Sequence, residues 1–245
     1  MTQQLEEEAI RLVRSATDRG ATLRLFGGTA LKRLIKKELL HRPEAADIDC
    51  VGLKRQLPVL LELFSENDYV EDLEIRRLFG LRRRVFLNAS KRITVDLCLD
   101  ILFFARPIDV RKRLEIRSET LSVSDLLLSK LQPKQFTQKD KTDVVNLLNT
   151  FRPGRDEDDG EFDIEQFVLP CTRDWGLFRL VQDNLRTVCD FKMQLDHDHR
   201  QRIGARIQSL LDSLRDSPKS LRWKYRSMIG ERARYWNEVA NEPSQ

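Results

Sequence analysis

Apolar positions spaced three and four apart run through residues 5–19 and predict an amphipathic helix near the start of the chain. Residues 22–26, Thr-Leu-Arg-Leu-Phe, read as a short strand that ends on two glycines. The helical period returns over residues 29–37, with Ala30, Leu31, Leu34 and Ile35 on one apolar face. Residues 47–51 then alternate: Asp47 and Asp49 share one face of a strand, while Ile48 and Cys50 enter the core. A helix is predicted over 57–64. Residues 69–79 and 81–88 read as two strands around a turn at Gly80, followed by a third strand over 93–102. Two helices, 123–131 and 138–151, close this part.

The pattern breaks at Arg152-Pro153-Gly154-Arg155, and residues 156–161 read as an acidic loop. Beyond it the period is helical over 175–189, 199–214 and 218–239, with Pro218 behind Ser217 as a helix start prefers. Trp223 and Tyr225 lie two apart in the last of these and cannot both face one core. The class is therefore α/β (α+β), with an α/β part over 1–151 and an all-helical part over 152–245.

Candidate chemistry starts at Gly27-Gly28-Thr29. Glycine adopts backbone angles closed to other residues and lets a ligand approach the main chain. The first N–H groups of the helix behind it lack partners and favour an anion, so this turn is a candidate phosphate cradle. Thr29 fits either a helix N-cap or a phosphate-contacting hydroxyl. Asp47 and Asp49, crowded on one strand face, repel unless water or a cation offsets their charge. Mg²⁺, with Mn²⁺ as the alternative, prefers such oxygen ligands and keeps waters that phosphates replace. Asp96 adds a third acid: residues 93–99 are apolar at odd positions and polar at even ones, which puts Asp96 on the open face. Asp100 shares that face but lies too far along to replace it.

Other residues admit two readings. His41 and Arg42 could reach a nucleotide from the end of the helix before the acidic strand, or simply complement its dipole. Ser122-x-x-Asp125 and Thr137-x-x-Asp140 both fit capping boxes, so Asp125 and Asp140 suit helix starts. Asp143 falls three residues beyond Asp140, on the same helix face. Lys130 is either a solvated helix lysine or a point cation for phosphate. His197-Asp198-His199 reads as a helix start capped by Asp198 or Asp196, because two histidines without a further ligand make a poor zinc site.

Gly27-Gly28-Thr29-Ala30-Leu31, His41-Arg42, Asp47-Ile48-Asp49 and Val95-Asp96-Leu97 resemble the nucleotidyltransferase superfamily that shares its fold with DNA polymerase beta. The order GGTAL, HR, DID is most similar to the AbiEii-like abortive-infection, type IV toxin branch. Residues 121–131 resemble its lysine-bearing helix, and residues 139–144 its RD-x-x-D segment. The resemblance spans about residues 20–150 and implies a nucleotidyltransferase fold with a mixed central sheet flanked by helices. It also implies transfer of an NMP from an NTP to an acceptor hydroxyl. On that reading Asp47, Asp49 and Asp96 hold Mg²⁺, and Asp49, Asp96, Lys130 and Asp140 are catalytic. Gly27, Gly28, Thr29, His41, Arg42, Lys130 and Asp143 bind the nucleotide. The branch points to RNA or a tRNA end as acceptor and to a cognate antitoxin as partner. The chain departs from the pattern in three places. The interval from Gly28 to Asp47 is long, which suggests an added helical turn; Ala45 and Ala46 stand where serine is usual; Lys139 replaces an arginine.

Composition changes little. With 40% hydrophobic and 33% charged residues, the chain can build cores but carries no apolar run able to span a bilayer. No signal peptide is evident and the four cysteines lack metal-ligand spacing, so a cytoplasmic protein with reduced thiols is expected. The net charge of +4 is too small to demand nucleic acid. Seven basic residues and no acid lie between Arg76 and Arg92, a run that suits a phosphate-rich partner or a solvated face. Two other functions stay open: a catalytically silent nucleotide- or RNA-binding module of the same fold, and a small-molecule, aminoglycoside-like nucleotidyltransferase.

Overall fold

A computed structural model describes residues 2–80, 82–157, 160–191 and 194–237. Leu81, Asp158, Asp159, Glu238 and Val239, which fall within segments assigned above, lie outside the described residues. The chain divides into two compact units. The first comprises residues 1–36, 43–102 and 109–122; the second comprises 37–42, 103–108 and 123–245. The boundary expected at residue 151 therefore falls within the second unit, which also claims a short segment ahead of the acidic strand.

In the first unit, helix α1 (Thr2–Asp18) leads to β1 (Leu23–Leu25), α2 (Gly27–Leu34), β2 (Ile48–Gly52) and α3 (Leu57–Glu66). Then come β3 (Val70–Glu71), α4 (Leu73–Phe79), β4 (Arg83–Asn88) and β5 (Ile93–Leu99). The five strands form one mixed sheet in the order β1-β2-β5-β4-β3, with β2 and β5 parallel and the other neighbours antiparallel. Ile48, Cys50, Val95 and Leu97 alternate into the core, where Phe64 of α3 stacks on Phe86 of β4 at 4.4 Å.

Two local assignments change. Residues 73–79 are helical rather than extended. The Asp72 side chain caps the helix by accepting from the Glu74 and Ile75 N–H groups, and Gly80 ends it at a φ of 61°. The short-range alternation of Leu73 and Ile75 concealed this, because neither helix end is an apolar signal. The third predicted strand also stops early. Asp100 takes a φ of 64° and breaks β5 from β6 (Ile101–Phe103), its carboxylate accepting from the Lys54 N–H at 2.9 Å. The strand β7 (Pro107–Asp109) follows.

A buried carboxylate fastens α1 to the far side of the sheet. Glu8 accepts from Arg11, from the Tyr69 hydroxyl at 3.0 Å and from Lys91 at 2.9 Å. Its side chain is 8% exposed. Burial alone would raise its pKa, but the hydrogen bonds from Arg11, Lys91 and Tyr69 outweigh burial and bring it down to about 2. Because the folded value lies below the ordinary 4.5, the stabilisation is complete above that pH and is lost as pH falls toward about 2. Glu8→Gln is expected to lower unfolding free energy at pH 7 by about 2–3 kcal/mol and to flatten the acid dependence in that window. Urea unfolding at pH 7 and pH 3 checks this; parallel acid losses in variant and wild type would refute it.

The second unit is built on α5 (Val123–Leu131), buried almost all round as a central helix must be. Against it pack α6 (Gln138–Thr150), α7 (Ile164–Arg173) and α8 (Trp175–Phe191); α9 (His197–Asp216) packs on those three, and α10 (Leu221–Ile229) follows. Side chains satisfy both ends of α5. The Glu157 carboxylate accepts from the Val123 and Ser124 N–H groups at 3.1 Å, and Asn184 donates to the Leu131 and Pro133 carbonyls. Arg206 of α9 likewise donates to the carbonyls of Leu148, Asn149 and Phe151 at the end of α6.

The expectation of an all-helical second part needs correcting. Residues 152–163 hold a pair of parallel strands, β8 (Arg152–Gly154) and β9 (Glu161–Asp163). Residues 164–173, left unassigned by the sequence pattern, form α7 behind an Asp163 cap. The last helix starts behind a Ser220 cap rather than at Pro218 and ends at Gly230, whose φ is 61°. Tyr225 is exposed, and Trp223 packs edge-on against Phe178 at 5.2 Å. Asp196, as expected of one of the two candidates, caps α9 by accepting from the His199 N–H at 3.0 Å. Among the described residues no helix is long and apolar enough to cross a membrane.

Candidate active site

Parallel pairing of β2 with β5 decides the geometry of the acids. Asp49 lies directly opposite Asp96, so the two side chains stand next to each other on one face of the sheet. The glycine turn meets them there. Gly27 has a φ of 61°, and a Cβ on it would fall 1.9 Å from Oδ2 of Asp49. Only glycine can therefore sit at this position. The Phe26 N–H donates to the Asp49 carbonyl at 3.0 Å, which locks the turn to the acidic strand. The helix starts at Gly27, two residues earlier than its apolar face suggested, and no side chain caps it.

Thr29 has a different task from the two foreseen. It is buried inside α2, and its hydroxyl donates to the Asp47 carbonyl at 3.0 Å, clamping the helix to the entry of β2. Asp47 itself precedes the strand, at a bend, and is not part of the ladder. The structure thus gathers Asp49 and Asp96, with Gly27 against them, and sets Asp47 one step outside. Among the described residues no group of three or more His, Cys, Asp or Glu side chains is arranged as a metal cage. A pair of adjacent carboxylates still suits a hard divalent cation whose remaining ligands are water or phosphate oxygens.

A cation from the other neighbouring strand reaches this pair. Arg83 of β4 donates through Nε to both oxygens of Asp96, at 3.0 and 2.9 Å, and its second arm approaches Oδ2 to 2.6 Å. In the sequence Arg83 stands only as one member of the basic run. Its alternation with Val85, which is register partner to Asp96, was the available signal. The run as a whole is less open than it reads. Arg76 and Arg84 pair with Glu71, Arg83 with Asp96, and Lys91 with Glu8, so at least four of the seven cations have acidic partners.

The Cys50 thiol, on the core face, and the Cys98 thiol, two residues beyond Asp96 on the same strand, are both held well above their ordinary pKa, by burial first and then by the nearby carboxylates of Asp96 and Asp49. All four cysteines are free thiols.

The remaining candidates belong to the second unit. Asp143 on α6 is fully buried and bridges two cations: Nε of Arg42 at 2.5 Å and Nζ of Lys130 at 2.8 Å. The Arg42 and Lys130 side chains are 4% and 14% exposed, so both cations are enclosed with Asp143. Asn146, one turn after Asp143, holds the segment that delivers Arg42. Its side-chain oxygen accepts from the Leu39 and Leu40 N–H groups, and its nitrogen donates to the Leu40 carbonyl. A lone polar residue among Val144, Val145, Leu147 and Leu148 was the sequence signal for it.

Helix α2 stops at Leu34, so the long interval before Asp47 is an irregular segment rather than an extra helical turn. His41 is therefore not at a helix end; it lies exposed in that segment. Asp140 makes a full capping box with Thr137, accepting from the Thr137 N–H at 3.1 Å and hydroxyl at 2.6 Å. The helix-start reading of Asp140 is the one its contacts support.

Residues 3–149 match the family described as nucleotidyltransferase of unknown function (DUF6036). The chain belongs to that family. No curated protein matches its sequence. Among solved structures, it is similar to an antigenic nucleotidyltransferase-like protein from Paracoccidioides brasiliensis, with 14% identity, a TM-score of 0.46, and coverage of 89% of this chain and 95% of that one. A solution structure of the antibiotic-resistance factor ANT(2'')-Ia matches at 11% identity and a TM-score of 0.41, covering 60% and 84%. A tRNA-processing enzyme in an apo form matches at 14% identity and a TM-score of 0.28, covering 94% and 79%.

Proposed function

We propose that this family member moves an NMP from an NTP to an acceptor hydroxyl and releases pyrophosphate. The observation that carries the proposal is the register pairing of Asp49 with Asp96 beside Gly27. In this reading the two carboxylates hold Mg²⁺ or Mn²⁺, which supplies charge stabilisation for the transferring phosphoryl group. Asp96 accepts the proton of the attacking hydroxyl. The backbone at Gly27 and Gly28 receives phosphate oxygens at the uncapped start of α2. The nucleotide-binding roles of Lys130, Arg42 and Asp143 rest on the motif resemblance alone.

The acceptor we propose is an RNA end, a choice that rests on the AbiEii-like motif resemblance alone, as do an antitoxin partner and a cytoplasmic setting. The test incubates the protein with each labelled NTP, Mg²⁺ and total RNA, then asks which molecule carries the label. Label on RNA that disappears with Asp49→Ala is the expected result. Label on the protein or on an added small alcohol would replace the acceptor, and absence of label with all four NTPs and every acceptor would overturn the proposal.

A further inference from the structure

Arg83 stands against the one acid that both the metal and the acceptor need. It reaches Asp96 from β4, opposite the side on which β2 presents Asp49, so Asp96 lies between a carboxylate and a guanidinium. The fork spans both oxygens of Asp96, and a fork of this kind is the strongest ordinary hold on a carboxylate. The guanidinium carbon also lies 5.4 Å from the centre of the Phe79 ring, within range of a cation–π contact at the end of α4. Arg83 thus has two seats: the Asp96 carboxylate and the Phe79 face.

We infer that Arg83 is the built-in counter-charge that a divalent cation displaces from Asp96. The inference rests on the cation-binding reading of the Asp49–Asp96 pair. Two adjacent carboxylates carry two negative charges and repel. Arg83 cancels one of them, which keeps the pair formed and aimed when no cation is present. A divalent cation answers both charges at once, and a guanidinium against the same carboxylate lowers its affinity. When the cation takes Asp96, the guanidinium keeps its contact with Phe79 and stays beside the site, where it meets the negative charge of the incoming phosphate ligand. Arg83 is a positioning residue here, acting through Asp96. The arrangement couples the two ligands: phosphate that engages Arg83 removes the competitor for the cation.

The test is Mn²⁺ binding to the purified protein, followed by electron paramagnetic resonance or calorimetry, with and without a non-hydrolysable NTP. Arg83→Gln and Arg83→Ala should each bind Mn²⁺ about tenfold more tightly than wild type without nucleotide, and Arg83→Lys should stay within about threefold of it. The nucleotide should tighten Mn²⁺ binding more in wild type than in Arg83→Gln. Asp49→Ala, run alongside, should abolish the Mn²⁺ signal. If Asp49→Ala abolishes binding while the two neutral Arg83 variants, folded by circular dichroism, bind as wild type or more weakly, the counter-charge role is refuted and the metal site stands. If Asp49→Ala leaves binding unchanged, or no variant binds Mn²⁺, both readings fall. Binding that appears only when Arg83 is neutralised supports the inference in its strongest form.

Discussion

Asp49→Ala is expected to lower nucleotidyl transfer by at least about a thousandfold, or about 4 kcal/mol in the activation barrier. Asp49 is the acid that meets both other parts of the site. Its carboxylate lies against Gly27, its backbone carbonyl accepts from Phe26, and its register partner is Asp96. In the proposed reading, removing it leaves one carboxylate to hold the divalent cation. The fold should survive, because the change relieves repulsion between adjacent acids and leaves the backbone ladder intact. A thermal midpoint near that of wild type, combined with loss of label transfer, is the expected signature. Transfer within tenfold of wild type in a folded Asp49→Ala protein would remove Asp49 from the chemistry. Gly27→Ala supplies a second measure of the same contact. Its Cβ would collide with the Asp49 carboxylate and impose strain at a φ of 61°, so both stability and transfer should fall.

Asp143→Ala is expected to destabilise the second unit by about 3–5 kcal/mol, because it removes the buried anion that two enclosed cations share. The Arg42 and Lys130 side chains are 4% and 14% exposed, so water offers little replacement for the lost charge. The cost should be largely reversed when Arg42 and Lys130 are both changed to methionine in the same protein, since burying apolar groups of similar size is often neutral or better. Urea unfolding of the single and triple variants checks this. A loss below about 1 kcal/mol in Asp143→Ala would show that the cations relax to solvent and that the group is not enclosed.

Much of the site was written in local pattern. The glycine turn, the strand with Asp49 and the alternating strand with Asp96 could all be read from side-chain periodicity, because a strand fixes which residues share a face. Thr137-x-x-Asp140 also spoke for itself, since a capping box is closed within four residues. What failed were features that need a distant partner or a signal without hydrophobic period. Helix α4 was missed because its ends are set by Asp72 and Gly80, and its short apolar run fits a strand equally well. Thr29 looked like a cap or a phosphate contact, but its hydroxyl goes to a carbonyl eighteen residues ahead. The basic run from Arg76 to Arg92 looked open because the acids that answer it, Glu8, Glu71 and Asp96, lie outside it in the chain.

The sequence by itself determined the long amphipathic helices, the acidic strand faces and the glycine turn, because each depends on periodicity or on backbone angles within a few residues. Tertiary structure alone decided which acids meet. Parallel register set Asp49 opposite Asp96 and left Asp47 outside, and the antiparallel neighbour brought Arg83 to the same carboxylate. It also drew Arg42 from an irregular segment to Asp143 on α6, about a hundred residues later. Strand order and register arise from burying one whole sheet face at once, and no local stretch of residues carries that information.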